Sequence, residues 1–278
     1  MIKPKILVHI HIYYHNQIDY IIKKLKNIKD FDYRLYVTIT HENEKTVAQL
    51  KAIKPDVVII KTENFGYDIW PFIFVLNQIN LSEFDCILKL HTKNFRINKN
   101  DYFGYGYFWR NTLYDCLIGS KKIFLDNLRL IQKPEIGMVG AKKYLYSTVD
   151  MPFYDLEYFE NICKKLKIPS QGNFIGGTMF LAKAEIFQKI KNLNLALTNF
   201  EKSGETNAND NLAHCIERIF GILTENSGCK IIGVNDKFWF NKFDIYRLSY
   251  GLFSIKRVSN VKKQICIFGI KITYKSEK

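Results

Sequence analysis

Polar and charged side chains follow two neighbouring β-branched runs in the first third of the chain. The first run is followed by Asn64, Gly66 and Asp68, which lead into a helical pattern, and the second run ends in His91 and Lys93. Glycine permits a tight turn at the start of the helix. A cationic pair beside a helix N-terminus suits a diphosphate group, so these five residues are candidates to bind a nucleotide diphosphate such as a nucleotide sugar. The alternative is that Lys93 is a surface lysine and His91 a hydrogen-bonded strand end.

A second polar group shares one face of a predicted helix. Asp210, His214 and Glu217 are spaced i, i+4 and i+7, and Arg218 lies one position further round. A carboxylate on such a face can act as general base on an acceptor hydroxyl, with histidine or arginine orienting it. Asp210 and Glu217 are the candidate bases, in no fixed order. The alternatives are a helix-capping acid at Asp210 and a structural ion pair between Glu217 and Arg218.

Two residue pairs are candidates to contact a polar ligand such as a sugar or a sugar acceptor. Gly177 and Thr178 precede a β-rich run. Glycine there lets a sugar approach the backbone, although a simple turn is the alternative. Trp109 and Arg110 are aromatic and cationic neighbours. We expect them to contact an acceptor or close a lid, with simple packing as the alternative.

Histidines crowd the end of the first predicted strand. His9 and His11 share one face by the period of two. A nucleotide base would stack near this strand end, so both are candidates for nucleotide contact. A lone histidine is otherwise a core or surface residue.

Hydrophobic patterns in the first ninety residues alternate between two periods. Strands are predicted at 5–13, 33–40, 56–61 and 84–91, and helices at 17–28, 43–52 and 68–79. The run at 56–61 is apolar enough to be a buried strand. This order predicts an α/β fold with a doubly wound, mostly parallel sheet and helices on both faces. Ligands bind such sheets at the carboxyl ends of the strands, where the candidate residues lie.

The pattern is less regular beyond residue 94. We predict a loop or lid at 98–110, helices at 112–131, at 209–224 and from 185, and strands at 135–141 and 176–183. No internal repeat or interdomain linker is apparent. The sequence therefore predicts a single domain at 1–250 and a tail at 251–278 that differs in composition.

Six short motifs resemble those of the rhamnan synthesis protein F family of bacterial polysaccharide glycosyltransferases, in the same order. The matching segments are Asn64 to Pro71, Leu88 to Lys93, Trp109 with Arg110, Leu117 to Ser120, Gly177 to Phe180, and Leu212 to Arg218. The resemblance covers about residues 5–225. It implies a Rossmann-type, GT-A-like fold and the transfer of a sugar, L-rhamnose by family analogy, from a nucleoside diphosphate.

GT-A-type transferases usually carry a D-x-D motif at the strand end where His91-Thr92-Lys93 lies here. Its carboxylates hold Mg²⁺ or Mn²⁺ on the diphosphate. This chain has no carboxylate there, and its one D-x-D, Asp30 to Asp32, precedes the second predicted strand. We therefore expect metal-independent binding of the diphosphate, with Lys93 and His91 in place of the cation, and no cofactor.

The charge of the chain is strongly basic. It has 41 basic and 27 acidic residues, a net charge of +14, and 34 of the basic residues are lysine. Lysine is less suited than arginine to reading bases, so we expect no nucleic-acid partner. Residues 254–278 carry seven basic residues, one acid and the apolar run Ile265 to Ile270. This pattern predicts contact with an anionic membrane surface or, alternatively, a terminal hairpin between 264 and 274.

The remaining composition indicates an intracellular globular protein. The beginning of the chain does not resemble a signal peptide, and no apolar run is long enough to span a membrane. Six scattered cysteines lack metal-ligand spacing and are predicted to be free thiols in a reducing cytoplasm. We therefore expect a cytoplasmic protein, peripheral on the inner membrane.

These observations favour an inverting glycosyltransferase that builds a cell-surface polysaccharide such as O-antigen, capsule or rhamnan. Its expected partners are a dTDP-rhamnose-like donor and a lipid-linked glycan acceptor. The alternative is a catalytically inactive subunit that binds glycan or partner enzymes, which the missing D-x-D motivates.

Overall fold

The computed structural model describes residues 4–94, 106–151, 156–204, 212–235, 253–259, 262–267 and 270–275. The chain divides into two compact units, Met1–Asp236 and Lys237–Lys278. The predicted domain boundary at residue 250 stays a prediction, because residues 236–252 lie outside the described ranges.

A seven-stranded sheet forms the centre of the first unit. Its strands, with two that pair separately, are β1 (Ile6–Ile12), β2 (Tyr33–Ile39), β3 (Val58–Lys61), β4 (Cys86–His91), β5 (Ile136–Ala141), β6 (Leu145–Ser147), β7 (Asn173–Ile175), β8 (Phe180–Lys183) and β9 (Lys230–Val234). The order in the large sheet is β3-β2-β1-β4-β8-β5-β9, and only β8 runs antiparallel to its neighbours. Strands β6 and β7 form a small antiparallel pair.

Helices cover both faces of this sheet. They are α1 (Ile18–Leu25), α2 (Glu44–Ile53), α3 (Ile69–Gln78), α4 (Gly106–Ile118), α5 (Lys121–Ile131), α6 (Leu156–Leu166), α7 (Gln188–Lys191) and α8 (Leu212–Asn226). Successive residues of β4 belong to different cores, since Ile87 packs with α3 and α8 and Leu88 with α1 and α4. This alternation follows from the period of two in a strand. The predicted doubly wound, mostly parallel α/β fold is therefore confirmed.

Two predicted elements differ from the structure. The strand predicted as buried at 56–61 is the edge strand β3, and Val58 in it is 41% exposed. The single helix predicted at 112–131 is two helices, because Ser120 caps α5 by accepting a hydrogen bond from Ile123 N at 3.2 Å. A serine N-cap starts a new helix by satisfying a free backbone N–H group.

Other predicted boundaries also shift. The strand predicted at 176–183 begins only at Phe180, because Gly177 and Thr178 have positive φ values of 85° and 49° and form a turn. The predicted loop at 98–110 overlaps α4, and its residues 98–105 lie outside the described ranges, as do residues 209–211 of the last predicted helix. Four cysteines are buried free thiols as predicted, and Cys229 is a half-buried one.

The second unit contains an antiparallel sheet of three strands. They are β10 (Phe253–Ser259), β11 (Lys262–Ile267) and β12 (Ile270–Lys275), in that order. The pairing of β11 with β12 confirms the predicted hairpin, in which Ile265 lies opposite Ile272. The side chains of Ile272 and Tyr274 are exposed. Within the described residues, no helix is both long and apolar enough to cross a bilayer.

Candidate active site

Two adjoining cavities open at the carboxyl ends of β1 and β4. We call the first, of about 400 Å³, the β1–β4 cavity; it is lined by His11, Tyr13, Tyr14, Asn64, Tyr67, Asp68, His91, Thr92, Lys93, Asn94, Trp109, Ser203 and Gly204. We call the second, of about 290 Å³, the α8 cavity; it is lined by Tyr67, Asp68, Ile69, Lys93, Trp109, Tyr146, Met151, Phe174, Gly176, Gly177, Thr178, Ala213, His214, Glu217 and Arg218. They share a wall made by Tyr67, Asp68, Lys93 and Trp109.

The structure brings most of the predicted site residues to these cavities. Five of the seven predicted nucleotide-sugar contacts line the β1–β4 cavity: His11, Asn64, Asp68, His91 and Lys93. The predicted base and acceptor residues that line the α8 cavity are Trp109, Gly177, Thr178, His214, Glu217 and Arg218. Asp210, the other predicted base, lies outside the described residues. The two predicted groups therefore occupy separate cavities with a common wall.

Three predicted residues lie away from both cavities. His9 is fully buried, with Nε2 3.0 Å from Thr38 Oγ1 and its ring 5.4 Å from that of Phe72. Gly66 forms the turn before α3, where its φ is +57° and an added Cβ would come within 2.6 Å of the Phe200 ring. Arg110 is buried against α1, with its guanidinium carbon 3.6 Å from the centre of the Tyr20 ring. These residues shape the site without lining it.

A buried network surrounds Asp68 at the shared wall. Its carboxylate accepts hydrogen bonds from Lys89 Nζ and Thr178 Oγ1, and Oδ2 lies 2.9 Å from His91 Nδ1. Burial by itself would raise the pKa of Asp68, but the neighbouring His91 and Lys89 hold it well below its usual value. Asp68 is therefore a fixed anion at neutral pH.

His91 is a neutral hydrogen-bonding group rather than a cation. Burial lowers its pKa to about 3, although Asp68 opposes the shift. The Asp68 carboxylate beside Nδ1 favours the tautomer with a proton on that nitrogen. Neither Nδ1 nor Nε2 makes a hydrogen bond of regular geometry with the residues that the structure describes. Nε2, on a residue that lines the β1–β4 cavity, has an acceptor lone pair in this tautomer.

Lys93 supplies positive charge at the shared wall. Its ammonium lies 3.9 Å from the centre of the Trp109 ring, a cation–π contact. Burial lowers the pKa of Lys93 to about 8, while Asp68 and Glu217 oppose the shift. Lys93 is therefore mainly cationic at neutral pH and close to its titration point.

Helix α8 presents the candidate base to its cavity. Glu217 Oε1 accepts a hydrogen bond from Gly177 N at 2.7 Å, which fixes the carboxylate against the turn at Gly177 and Thr178. The ring of His214 lies 5.5 Å from that of Tyr67, and burial lowers the pKa of His214. The guanidinium of Arg218 donates to His214 O at 3.0 Å. The i, i+3 and i+4 spacing thus places these side chains together as predicted.

The amino-acid sequence matches the family described as rhamnan synthesis protein F over residues 1–229. The chain belongs to the rhamnan synthesis protein F family. Two curated relatives, both named uncharacterized protein WxcX, come from strains of Xanthomonas campestris pv. campestris and are 25% identical over 241 residues and 24% identical over 237 residues. Each alignment covers 83% of this chain and 33% of the relative, so the chain spans about a third of their length.

Two solved structures are also similar to this chain. One is a mannosyltransferase from Pyrobaculum calidifontis in complex with GDP-mannose and Mn²⁺, with 13% sequence identity and a TM-score of 0.44. The superposition covers 89% of this chain and 62% of the mannosyltransferase chain. The galactosyltransferase LgtC, in complex with donor and acceptor sugar analogues, is 11% identical with a TM-score of 0.34 and covers 82% and 72%.

Sequence reasoning missed several residues of the site. Lys89 is fully buried beside Asp68. Its position could have been predicted, because it precedes His91 by two residues and therefore lies on the same face of β4. Tyr146 and Phe174, which line the α8 cavity, come from the short β6–β7 pair. A three-residue strand pair carries too little pattern to be predicted from sequence.

Proposed function

We propose that the chain is a glycosyltransferase that moves a sugar from a nucleoside-diphosphate sugar to a growing cell-surface polysaccharide. The single observation that carries this proposal is the pair of adjoining cavities with the cation of Lys93 in their common wall. One cavity for the donor and one for the acceptor, meeting at a cation, is the arrangement that group transfer from a diphosphate requires. The family description names rhamnan synthesis, which favours rhamnose as the sugar. The polysaccharide product in this proposal is a rhamnan, an O-antigen or a capsule.

In this proposal the donor occupies the β1–β4 cavity. Its diphosphate lies near Lys93, and His91 Nε2 accepts a hydrogen bond from a hydroxyl of the sugar or ribose. The base stacks on Tyr13, whose side chain is exposed at the end of β1, in place of the predicted contact with His9. The acceptor occupies the α8 cavity, where Trp109 and Phe174 offer apolar ring faces to a sugar.

The transfer step is a single displacement. The base, Glu217 or Asp210, takes the proton of the acceptor hydroxyl. At the same time the oxygen of that hydroxyl forms a bond to the anomeric carbon of the donor sugar. The bond from that carbon to the diphosphate oxygen breaks, and its electron pair leaves with the nucleoside diphosphate, whose negative charge Lys93 stabilises. The configuration inverts. NMR of the product would refute this step if the configuration were retained.

The residues of the cavities do not fit a divalent cation. Asp68 already accepts hydrogen bonds from Lys89 and Thr178, and Glu217 accepts one from Gly177 N. No cluster of three metal-ligating side chains occurs in the part of the chain that the structure describes. Two lysines beside one carboxylate repel a further cation. We therefore propose metal-independent transfer, with Lys93 in place of the ion.

Nucleotide binding tests the proposal directly. We expect dTDP, UDP, GDP or CMP to raise the unfolding temperature of the protein in EDTA as much as in Mn²⁺. A ligand at 100 times its Kd adds about 2.7 kcal/mol to the free energy of unfolding, which raises the unfolding temperature by about 5–11 °C for a domain of this size. A rise that needs Mn²⁺ would contradict metal independence. No rise with any nucleotide would favour the alternative, an inactive subunit that binds glycan or partner enzymes.

We also propose that the second unit binds the cytoplasmic face of the inner membrane, where a lipid-linked acceptor would lie. Its described strands contain six basic residues and no acidic one: Lys256, Arg257, Lys262, Lys263, Lys271 and Lys275. Ile272 is 55% exposed, with Ile267 and Tyr274 also exposed. Strands that combine basic residues with exposed apolar side chains favour contact with anionic lipid, at about 1 kcal/mol for each cation near the membrane surface.

Vesicle sedimentation distinguishes this contact from a general effect of charge. We expect the protein to sediment with phosphatidylglycerol vesicles and to remain in solution with phosphatidylcholine vesicles. Ile272→Glu should weaken sedimentation more than Val149→Glu, which adds the same charge at a residue of the first unit that is 66% exposed. Equal effects of the two substitutions would contradict a membrane contact at this sheet.

A further inference from the structure

The strongest unassigned feature is the buried ammonium of Lys89. It lies at the centre of β4 with none of its side chain exposed, 5.5 Å from the centre of the Phe72 ring. Buried lysines are rare unless they are paired, because desolvation favours the neutral form. Burial lowers the pKa of Lys89, and its ion pair with Asp68 opposes that shift. The fold therefore keeps a charge where an apolar residue would pack at less cost.

Asp68, the partner of Lys89, does not cap the helix that it precedes. It is the N-cap residue of α3, where an aspartate normally accepts hydrogen bonds from the first turn of the helix. Here its side chain makes no capping hydrogen bond. It instead accepts hydrogen bonds from Lys89 and Thr178, and its side chain stays 17% exposed at the wall between the cavities.

Lys89 also holds the turn that contacts the candidate base. Its ammonium donates to Thr178 O at 3.1 Å and to Thr178 Oγ1 at 3.2 Å. Thr178 has a positive φ of 49°, which costs energy in a β-branched residue and needs such support. Gly177, the preceding residue, donates its N–H to Glu217. A continuous chain of contacts thus joins Lys89 to both Asp68 and Glu217.

We infer that Lys89 is a positioning residue of this site: it keeps Asp68 an anion that is fixed toward the cavities and holds the Gly177–Thr178 turn against Glu217. The charged and titratable groups around Asp68 are Lys89 and His91 on β4, Lys93 just after β4, His9 and His11 on β1, and His214 and Glu217 on α8. Among the described residues, Lys89 is the cation that donates a hydrogen bond to this carboxylate. Its effect on activity rests on the proposed transferase function, but its effect on Asp68 does not.

The substitution Lys89→Met tests this role by two readouts. The first readout is the NMR titration of the Asp68 carboxyl in protein with ¹³C-labelled aspartate, in which the Asp68 signal is assigned by its loss in Asp68→Asn. In the wild type this carboxyl should remain ionised at every acidic pH where the protein is folded. In Lys89→Met it should titrate at a higher pH than in the wild type. The variant's kcat/KM should fall about 100-fold at pH 6 and recover about tenfold for each pH unit as Asp68 ionises again. A purely structural lysine predicts a loss of activity that does not depend on pH.

Two further variants keep the test decisive. Lys24→Met breaks the Lys24–Asp115 ion pair, which lines neither cavity, and should leave both readouts unchanged. If Lys89→Met does not fold, Lys89→Gln takes its place, because the amide removes the charge and keeps a hydrogen-bond donor. An Asp68 titration that matches wild type in Lys89→Met, or in Lys89→Gln when that variant is needed, would overturn the inference. A changed titration in a protein with no transferase activity would instead reject only the proposed function.

Discussion

Glu217→Gln should leave the protein folded and able to bind nucleotide, but lower the rate of sugar transfer about 10²- to 10⁴-fold. The amide is nearly isosteric and its oxygen can still accept the hydrogen bond from Gly177 N, so the turn keeps its support. It cannot take a proton from the acceptor hydroxyl. Initial rates at saturating donor, together with the nucleotide-induced rise in unfolding temperature, separate loss of chemistry from loss of binding.

The same helix offers a matched control for this substitution. Glu225 lies two turns beyond Glu217 and accepts hydrogen bonds from Asn173 N at 2.9 Å and Asn173 Nδ2 at 2.7 Å, outside both cavities. We expect Glu225→Gln to retain transfer within about twofold, because Glu225 lines neither cavity and the amide oxygen can still accept a hydrogen bond from Asn173 N. Full activity in Glu217→Gln with a large loss in Asp210→Asn would assign the base to Asp210.

The layout of the sheet could be predicted because its signal is local. Apolar runs alternate with helical patterns up to β4, and short connections between such elements leave few topologies. For the same reason the structure brings His91 and Glu217, with most of the residues predicted around them, to adjoining cavities. Strand ends of a parallel sheet meet at one edge, and i, i+3 and i+4 residues share a face of a helix.

The incorrect expectations concern how deeply a side chain is buried rather than the strand or helix that carries it. Period two placed His9 and His11 on the same face of β1, yet only His11 reaches a cavity, because α3 covers His9 with Phe72. Arg110 adjoins Trp109 in sequence, but neighbouring residues of a helix point about 100° apart, and it packs on Tyr20 instead. How far a residue lies from the surface depends on the helices packed over it, which the pattern of one strand or helix does not contain.

The pairing of Lys89 with Asp68 lay beyond sequence reasoning for a related reason. A lysine in a run of apolar residues conflicts with burial, and such a local conflict marks a functional or strained position. Its partners, however, are Asp68 at the start of α3 and Thr178 in the turn before β8, which are 21 and 89 residues away in the sequence. Only the assembled structure shows that the Asp68 carboxylate accepts hydrogen bonds from both Lys89 and Thr178.

Lys93→Met should weaken nucleoside-diphosphate binding and abolish the dependence of that binding on pH above neutrality. In the wild type, burial lowers the pKa of Lys93 to about 8, so the side chain is cationic below that pH and neutral above it. Diphosphate oxygens bind the cation better than the amine. Affinity should therefore be greatest up to about pH 7.5 and fall toward tenfold per pH unit above pH 8. Isothermal titration of the nucleotide between pH 7 and 9.5 measures this fall.

Lys93→Arg separates the charge of Lys93 from its shape. Guanidinium stays protonated throughout this range and stacks well on an aromatic ring, so it can keep the contact with Trp109. We expect Lys93→Arg to bind with an affinity that hardly changes between pH 7 and 9.5, and Lys93→Met to bind weakly over the same range and to lose about 10²- to 10³-fold in transfer rate. Burial also lowers the pKa of Lys89, but the wild type and both Lys93 variants retain this lysine. If Lys93→Met kept the steep fall of the wild type, the titrating cation would be Lys89, and the role proposed for Lys93 in stabilising the leaving diphosphate would be wrong.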